Sequence, residues 1–437
     1  MNSKMITGSS KKALLSFSFP LLAGSVFQNL YNICDTMVVG QILGIEALSA
    51  VGNSYIPMLV INSVFLGVSS GITILVSQAY GSQRQVEINE CISSVHMITG
   101  IIGIGLAIAS FICRKWLFSA MNISESILDR ALSYWSIILI GIPFSAIYNF
   151  YSAIIKAKGN SKIPVMIIGS SCAINIFLDV LFVGFLGFGI QGAAAATVAS
   201  QILSAGATVI YLFCCDSAFR SFCPNIYKIF QIFRLSITGI VQNSASAASM
   251  VVIQGFVNQY GVNAASAYIA AYKIESILTI PAVNLGNALG VFTGQNIGAK
   301  QTERAREGLV VSFKIGLVIC AITMLLIWMA SPILMFFIVG SEQEVIKIGV
   351  EYLTMISFSF PFCVSLYILT NFLRGAGEVA YPLFNTILEL GLRTTLAFVL
   401  TNCMGLEGIL LCRPISFIIS TISLGFRYKS KKWMKMK

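Results

Sequence analysis

Residues 308–338 read GLVVSFKIGLVICAITMLLIWMASPILMFFI, and Lys314 is the one charged side chain in this stretch. A helix of about 20 apolar residues crosses roughly 30 Å of hydrocarbon, so the stretch is long enough to span a membrane. Eleven other apolar blocks of similar length occur in the chain. They lie near residues 13–40, 52–78, 91–113, 131–155, 163–187, 191–215, 232–258, 265–293, 346–372, 380–403 and 405–427. The alternating pattern of barrel strands is absent, so we predict an all-α polytopic membrane protein with twelve transmembrane helices.

The composition excludes a water-soluble fold. Charged residues make up 10% of the 437 positions, whereas soluble domains average roughly 25%. Apolar residues make up 57%, and the mean hydropathy is +0.85. The first block is too long for a signal peptide and contains Asp35, so we predict a retained helix. Pro20, about four turns before Asp35, marks either a bending point or a static kink of that helix.

Charge and cysteine content argue against several other classes of protein. The net charge of +11 does not indicate a nucleic-acid partner, because no basic stripe with interleaved aromatic residues exists. The eleven cysteines form no Cys-x-x-Cys pair and are odd in number, which argues against a disulfide framework and against a thiolate metal site.

The distribution of Lys and Arg predicts the orientation of the chain, since positive charge is retained on the cytoplasmic side of a membrane. With both termini inside, 21 of the 28 basic residues fall in inside segments. The four in outside loops are Arg114, Lys115, Arg130 and Lys347. We therefore predict a multi-pass protein of the cell (inner or plasma) membrane with both termini in the cytoplasm.

An internal repeat appears when the chain is compared with itself at a shift of 216 to 218 residues. The matched pairs are Pro143 and Pro361, Gly159 and Gly377, Pro164 and Pro382, Gln78 and Gln295, and Gly189 and Gly405. A half with six helices returns to the side where it began. The halves are therefore predicted to be parallel repeats related by a pseudo-two-fold axis along the membrane normal, which is typical of alternating-access transporters.

The repeat also predicts the domain organisation. Residues 1–215 form an N-terminal lobe with helices 1–6, and residues 216–234 form a cytoplasmic linker between the lobes. Residues 235–437 form a C-terminal lobe with helices 7–12 and a basic tail.

The carboxyl groups of Asp35 and Asp179 are candidates for binding a transported ion. An ionisable group within a membrane span is costly, and it is a functional candidate by default. Neither aspartate has a basic residue within one helical turn, and Asn175 lies on the same helix face as Asp179. A carboxyl in a low-dielectric pocket can bind and release a proton, and carboxyls beside neutral amides can instead coordinate a sodium ion. An aspartate that only accepts hydrogen bonds from nearby backbone is the structural alternative.

The other ionisable residues inside predicted spans differ in their neighbours. Glu389 and Arg393 are four apart, and we predict a structural ion pair. Lys273 and Glu275 are two apart and cannot face each other along a helix, so each needs a partner elsewhere or an aqueous cavity. Arg413 precedes a proline, and both a contact with freed carbonyl groups and a contact with substrate remain open.

Five short motifs carry a resemblance to a known family. They are Asp35-Thr36-Met37-Val38-Val39-Gly40, Gln78-Ala79-Tyr80-Gly81, Gly189-Ile190-Gln191-Gly192-Ala193, Gln295-Asn296-Ile297-Gly298-Ala299 and Arg374-Gly375-Ala376-Gly377. In order, spacing and duplication, the chain resembles the multidrug and toxic compound extrusion (MATE) transporters over nearly its whole length. The resemblance implies a V-shaped pair of six-helix lobes that exports organic, often cationic, compounds in exchange for protons or sodium ions.

The resemblance further implies which residues form the sites. The ion-coupling residues are then Asp35, Asn149, Asn175, Asp179 and Thr197. Of these, Asp35, Asn175, Asp179 and Thr197 would hold a sodium ion, and no other metal site is expected. The resemblance places Tyr31 and Tyr134 near this site, as candidates for the substrate cavity. The residues themselves add Gln242, Lys273 and Glu275 as further candidates for that cavity. Because helix 7 offers amides and no acid, the chain resembles the branch of the family that relies on acids of the N-terminal lobe.

We predict a secondary active antiporter for small organic, cationic amphipathic compounds that works by alternating access. The alternative is a flippase for a lipid-linked precursor, which related folds perform. It would need several cations to hold phosphates, and the spans offer only Lys273, Arg393 and Arg413. The single histidine and the absence of an HExxH motif argue against an enzyme. We expect a monomer in the lipid bilayer with a small-molecule substrate, no nucleic acid, and no cofactor besides H⁺ or Na⁺.

The predicted topology can be tested by labelling single cysteines on a cysteine-depleted background. We expect Arg84→Cys and Arg304→Cys to react with an impermeant maleimide only after the cells are opened, because both lie in predicted cytoplasmic gaps. Lys115→Cys and Lys347→Cys should react in intact cells. Labelling of position 84 or 304 from outside would contradict the prediction.

Overall fold

The computed structural model describes residues 5–120 and 125–435. Lys4 and Lys437, which contribute to the predicted cytoplasmic charge, lie outside the described residues. The described chain is helical, and no strand occurs in these two ranges. The helices are α1 Ser10–Ser82, α2 Gln85–Ala120, α3 Glu125–Ala157, α4 Lys162–Asp179, α5 Gly189–Cys215, α6 Ile226–Asn258, α7 Val262–Gly298, α8 Thr302–Val339, α9 Gln343–Ser357, α10 Phe360–Gly375, α11 Ala380–Met404 and α12 Leu406–Lys429. A π-helix, Val180–Phe185, follows α4, and 3₁₀ helices occupy Ser217–Arg220 and Lys432–Lys435.

The number of membrane spans agrees with the sequence-based prediction. Helix α1 contains two candidate spans, Ser10–Tyr31 and Ser49–Ser82, and Gly44 interrupts it with a φ of 82°. Helices α9 and α10 are bent by 54° at a short break and together make one span. With the other nine helices, the described residues provide up to twelve candidate spans. The predicted all-α polytopic fold is confirmed.

The described chain folds into two compact units. The first unit is Phe19–Ile240, and the second consists of the described residues of Met1–Ser18 and Val241–Lys437. The boundaries between the units therefore fall inside α1 and α6. The boundaries predicted for the two lobes and the linker remain a prediction.

The first unit packs around α3. The rings of Phe65 on α1 and Phe150 on α3 meet edge to face, with centroids 5.8 Å apart. Helix α5 also packs against α3, and its residues Ala193 and Ala194 are both fully buried. Small side chains let two helices approach closely within a membrane, so this alanine-rich turn brings α5 against α3.

In the second unit, small residues similarly bring α7 against α10. A Cβ added at Gly375 would lie 2.5 Å from the carbonyl oxygen of Gly290, and one at Gly286 would lie 2.8 Å from the Asn371 amide nitrogen. A side chain at Gly375 would force the backbones of α7 and α10 apart, and one at Gly286 would displace the Asn371 side chain. The segment before α1 joins this unit because Asn296 and Arg304 donate to the backbone carbonyls of residues 5 and 8.

The segment between α5 and α6 is fastened to the first unit. Lys158 forms an ion pair with Asp216, which also accepts a hydrogen bond from the Ala218 backbone at 3.2 Å. The ring of His96 contacts the Phe219 carbonyl through Nε2 at 3.1 Å and the Tyr151 hydroxyl through Nδ1 at 2.9 Å. These contacts hold the start of the predicted linker against α2 and α3.

The backbone shows the internal repeat independently of residue identity. Positive φ angles recur at matched positions of the two halves, with shifts of 216 to 218 residues. The pairs are Gly44 and Gly261 (82° and 95°), Gln83 and Lys300 (58° and 60°), Gly159 and Gly377 (89° and 93°), and Gly189 and Gly405 (59° and 63°). Each half thus makes the same left-handed turns at the same places between its helices.

We expect Gly159→Val and Gly377→Val to destabilise the protein and to lower transport. A β-branched residue forced into the left-handed region costs roughly 1–2 kcal/mol. The measurement is thermal unfolding in detergent, followed by transport at equal membrane abundance.

A matched control is Gly206→Val on α5, since Gly206 has an ordinary helical backbone and nothing within 4 Å of an added Cβ. Wild-type stability and rates in both loop variants would show that these glycines are incidental.

Candidate functional site

We call Asp35, Asn175, Asp179 and Thr197 the acidic site. It lies inside the first unit, where α1, α3, α4 and α5 meet. Asn175 and Asp179 on α4 are 0% and 1% exposed, and Thr197 on α5 is 6% exposed. The carboxyl groups of Asp35 and Asp179 are close enough to interact electrostatically. The structure therefore brings together four of the five residues named for ion coupling.

The acidic site contains many polar atoms without a protein partner. Among the described residues, none forms a hydrogen bond with either carboxylate oxygen of Asp179 or with either amide atom of Asn175. Oδ1 of Asp35 is likewise buried and unpartnered. Buried polar groups are almost always satisfied, so a cluster of this kind indicates a place for a proton, an ion or water. It also argues against the alternative in which the aspartates only accept hydrogen bonds from the backbone.

Two tyrosines border the acidic site. The hydroxyl of Tyr31 lies near Thr197, and the Tyr31 and Tyr134 hydroxyls both interact electrostatically with Asp35 and Asp179. Asn149 is not joined to this group by a hydrogen bond. Its amide nitrogen donates to the Ser145 carbonyl of its own helix at 2.8 Å.

The helix changes its winding directly after Asp179. The π-helix Val180–Phe185 begins at the next residue, and the Leu186 amide donates to the Leu181 carbonyl at 2.9 Å. Short π-helical turns occur frequently at functional sites, because the extra residue loosens the backbone hydrogen-bond ladder. Asp179 is thus the last residue of the α-helix and directly precedes the π-helix. Nothing in the sequence pattern indicated this change of winding.

A second cluster of ionisable residues lies in the second unit. Glu275 on α7 is 1% exposed and accepts hydrogen bonds from the Arg413 guanidinium and the Tyr352 hydroxyl, both at 2.7 Å. Arg413 lies 138 residues from Glu275 in the chain. Sequence spacing could not predict this pair, and Tyr352 was missed altogether.

The remaining residues named from the sequence are divided between this cluster and the surface. Arg393 donates to the Glu389 carboxylate, and it also donates to the Ser249 hydroxyl at 3.4 Å. Gln242 accepts a hydrogen bond from Arg374 at 3.2 Å. The Lys273 side chain is exposed and lies apart from buried Glu275.

A cavity of about 130 Å³, which we call the guanidinium cavity, lies within the second unit. Its lining includes Gln242, Tyr272, Glu389, Arg393, Arg413 and Phe417. The guanidinium carbons of Arg393 and Arg413 lie 5.6 and 5.5 Å from the centroid of the Phe417 ring. The two sites therefore differ in charge. The acidic site contains Asp35 and Asp179, which form no ion pair among the described residues, whereas the guanidinium cavity contains arginines that are paired with glutamates.

Comparisons with known proteins agree with this architecture. A family model described as MatE matches residues 20–181 and 235–399. "Probable multidrug resistance protein YpnP" of Bacillus subtilis (strain 168) is 30% identical over 98% of this chain and 97% of its own length. "Probable multidrug resistance protein YoeA" of the same organism is 28% identical over 97% of this chain and 94% of its own. The solved structure titled "Crystal structure of MATE in the bent conformation" has a TM-score of 0.92 and 21% identity, and the match covers 99% of this chain and 98% of that one.

We expect Arg413→Gln to destabilise the protein by about 3–5 kcal/mol, because it leaves the Glu275 carboxylate buried without a cation. The double variant Glu275→Gln with Arg413→Gln should recover most of that loss, since both members of the pair are then neutral. Thermal unfolding of the purified protein measures both effects. Arg306→Gln is the control, because its partner Glu303 is 82% exposed and such pairs contribute little. A double variant no more stable than Arg413→Gln would contradict the assignment.

Proposed function

The chain belongs to the MatE family of multidrug efflux transporters, and we propose that it exports small organic compounds as a secondary antiporter driven by protons or sodium ions. Members of this family are membrane transporters and not enzymes, and they need no cofactor. The proposal concerns the transport mode, the coupling ion and the residues that bind it.

The unpartnered acidic site is the observation that carries the proposal. A ligand shifts a conformational equilibrium only by its difference in affinity for two states, so a driving ion needs a site that binds it more tightly in one state than in the other. Asp35 and Asp179 interact electrostatically, and among the described residues no Lys or Arg forms an ion pair with either of them. Two neighbouring carboxylates without a cation repel each other, and binding a proton or Na⁺ relieves the repulsion.

The membrane potential acts on the net charge that one transport cycle moves. One net elementary charge moved through 100 mV supplies about 2.3 kcal/mol, which corresponds to a concentration ratio of several tens. Exchange of two ions for one monovalent organic cation moves one net charge and gains this energy, whereas exchange of one ion for one such cation is electroneutral and is driven by the concentration gradient of the ion alone. In the sodium mode, the oxygens of Asp35, Asn175, Asp179 and Thr197 would replace the water molecules around the ion. In the proton mode, the two carboxyl groups alone would suffice.

The cargo that fits best is an amphipathic organic cation. The two curated relatives described above carry names that state multidrug resistance, and the acidic site attracts positive charge. We further propose that the protein acts as a monomer in the cell membrane with both termini in the cytoplasm. A lipid-linked precursor is a poorer fit, because Arg393 and Arg413 already hold carboxylates and a cavity of about 130 Å³ has no room for such a molecule.

We expect Asp35→Asn and Asp179→Asn each to abolish gradient-driven efflux while the protein folds and accumulates normally. The amide is nearly isosteric with the carboxyl group, but it cannot take up a proton and binds Na⁺ more weakly. The measurement is export of a fluorescent organic cation from proteoliposomes under separately imposed proton and sodium gradients.

Glu389→Gln is the matched control, because it removes a buried carboxyl group that is already paired with Arg393. It should lower stability more than coupling. Ion-driven efflux that persists in the double Asn variant would exclude the acidic site as the coupling site.

A further inference from the structure

The segment that follows the last membrane span is packed against the second unit. Helix α12 ends at Lys429, and the 3₁₀ helix Lys432–Lys435 follows it. We call residues 428–435 the basic turn. Its Trp433 side chain is 2% exposed, so the indole ring is enclosed by protein on almost every side. The basic turn is therefore part of the folded structure of this unit.

Three helices hold the Trp433 ring. It lies parallel to the Tyr428 ring of α12, with centroids 6.0 Å apart, and edge to face with the Phe372 ring of α10, at 4.9 Å. The indole Nε1 donates to the Tyr428 carbonyl at 3.2 Å. From α8, the Arg306 guanidinium lies 5.9 Å from the Trp433 centroid and donates to the Met434 sulfur at 3.2 Å. These contacts fix the backbone of the basic turn.

The same contacts set the depth of the basic turn in the membrane. Phe372 lies in the last turn of α10 and Tyr428 in the last turn of α12, and both helices belong to candidate spans. The basic turn therefore runs across the ends of two spans, at the level where a span meets the lipid headgroups. Tryptophan is enriched at this level, and lysine can lay its apolar stem along it while its ammonium group reaches water.

The basic turn carries positive charge that no protein group offsets. Its neighbour Arg427 is paired with buried Glu378. Residues 428–437 include no Asp or Glu. Three lysine side chains of the basic turn are exposed and take part in none of the ion pairs of the described residues: Lys429, Lys431 and Lys432.

The first half of the chain lacks these lysines. At the shift of 216 residues that matches Gly189 with Gly405, their counterparts are Phe213, Cys215 and Asp216. A half of this protein thus folds without basic residues at these positions. Retention of positive charge on the cytoplasmic side accounts for lysines in a loop, but it does not account for their attachment to a buried tryptophan.

We propose that the basic turn is a binding site for the headgroup of an anionic phospholipid. Clusters of basic residues beside a membrane span attract anionic lipids, and the acyl chains of a lipid bound here would extend along the spans. Because the backbone that carries the lysines is already fixed, binding loses less conformational freedom than it would in a mobile tail. The proposal does not depend on the transport mode or the coupling ion, since the basic turn belongs to the second unit and the acidic site to the first.

Native mass spectrometry of the purified, delipidated full-length protein measures the binding of single lipid molecules. The probes are phosphatidylglycerol and phosphatidylcholine with the same acyl chains, whose headgroups differ in net charge. Each lysine near an anionic headgroup contributes about fivefold in affinity, so phosphatidylglycerol should bind at least tenfold more tightly. Equal affinities would overturn the proposal. Free glycerol phosphate should not displace the lipid, and displacement would show that the site takes soluble phosphate instead.

Two variants assign the lipid to the basic turn. The triple variant Lys429→Gln, Lys431→Gln and Lys432→Gln should weaken phosphatidylglycerol binding at least tenfold without affecting phosphatidylcholine. Trp433→Ala keeps the three lysines but releases the basic turn, and it should weaken phosphatidylglycerol binding at least threefold. Wild-type affinity in either variant would contradict the proposal. Because the lysines are exposed, the triple variant preserves the test if Trp433→Ala fails to fold.

The matched control removes three positive charges from the first unit: Lys162→Gln, Arg220→Gln and Lys228→Gln. These residues lie in predicted cytoplasmic segments, as the basic turn does. Phosphatidylglycerol affinity should remain at the wild-type value in this control. A loss as large as that of the lysine variant would show that the lipid responds to net charge and not to the basic turn, and the proposal would be wrong.

Discussion

The cost of a charge inside the hydrocarbon layer governs the arrangement of this protein. Most of the buried ionised groups reduce this cost by pairing with a group of opposite charge. Arg413 meets Glu275, Arg393 meets Glu389, and Glu378, which is fully buried, meets Arg427. Asp35 and Asp179 differ, because they interact with each other and with the hydroxyl groups of Tyr31 and Tyr134, and among the described residues no Lys or Arg forms an ion pair with either of them. A buried carboxyl group without a cation either takes up a proton or binds another positive charge, and this is the property on which the proposed coupling site depends.

The two units show how one scaffold can bear opposite chemistry. The left-handed turns at Gly159 and Gly377 are almost identical in φ, and the helices that follow them place Asn175 and Arg393 at matched positions. The positive φ angles are thus retained at positions where only glycine fits easily. The side chains at matched positions inside the helix bundles differ between the two units. A polar pocket can change its charge without disturbing the fold, provided that each new charge brings a partner. Glu275 and Glu389 are those partners.

The sequence predicted the fold well because membrane spans depend on local composition. Twelve apolar blocks became twelve spans, and the motifs identified the family correctly. The break inside α1 at Gly44 was predicted as the gap between the first two apolar blocks. The close approach of Asp35 and Asp179 followed from family likeness. The pairing of Glu275 with Arg413, by contrast, depends on how α7, α9 and α12 pack, and residues 138 positions apart give no periodic signal.

The fastening of the segment after α5 to the first unit has a mechanical consequence. Lys158 and His96 hold Asp216 and Phe219, so that segment is not free to move as a flexible connection. The chain passes between the units inside α1 and α6. A helix transmits twist and resists bending, whereas a loop absorbs both. Pro20 lies two residues past the boundary at Ser18, and it lacks the amide proton that would hold the turn before it. Pro20 is therefore the position close to this boundary at which α1 bends most readily, and it is separate from the break at Gly44.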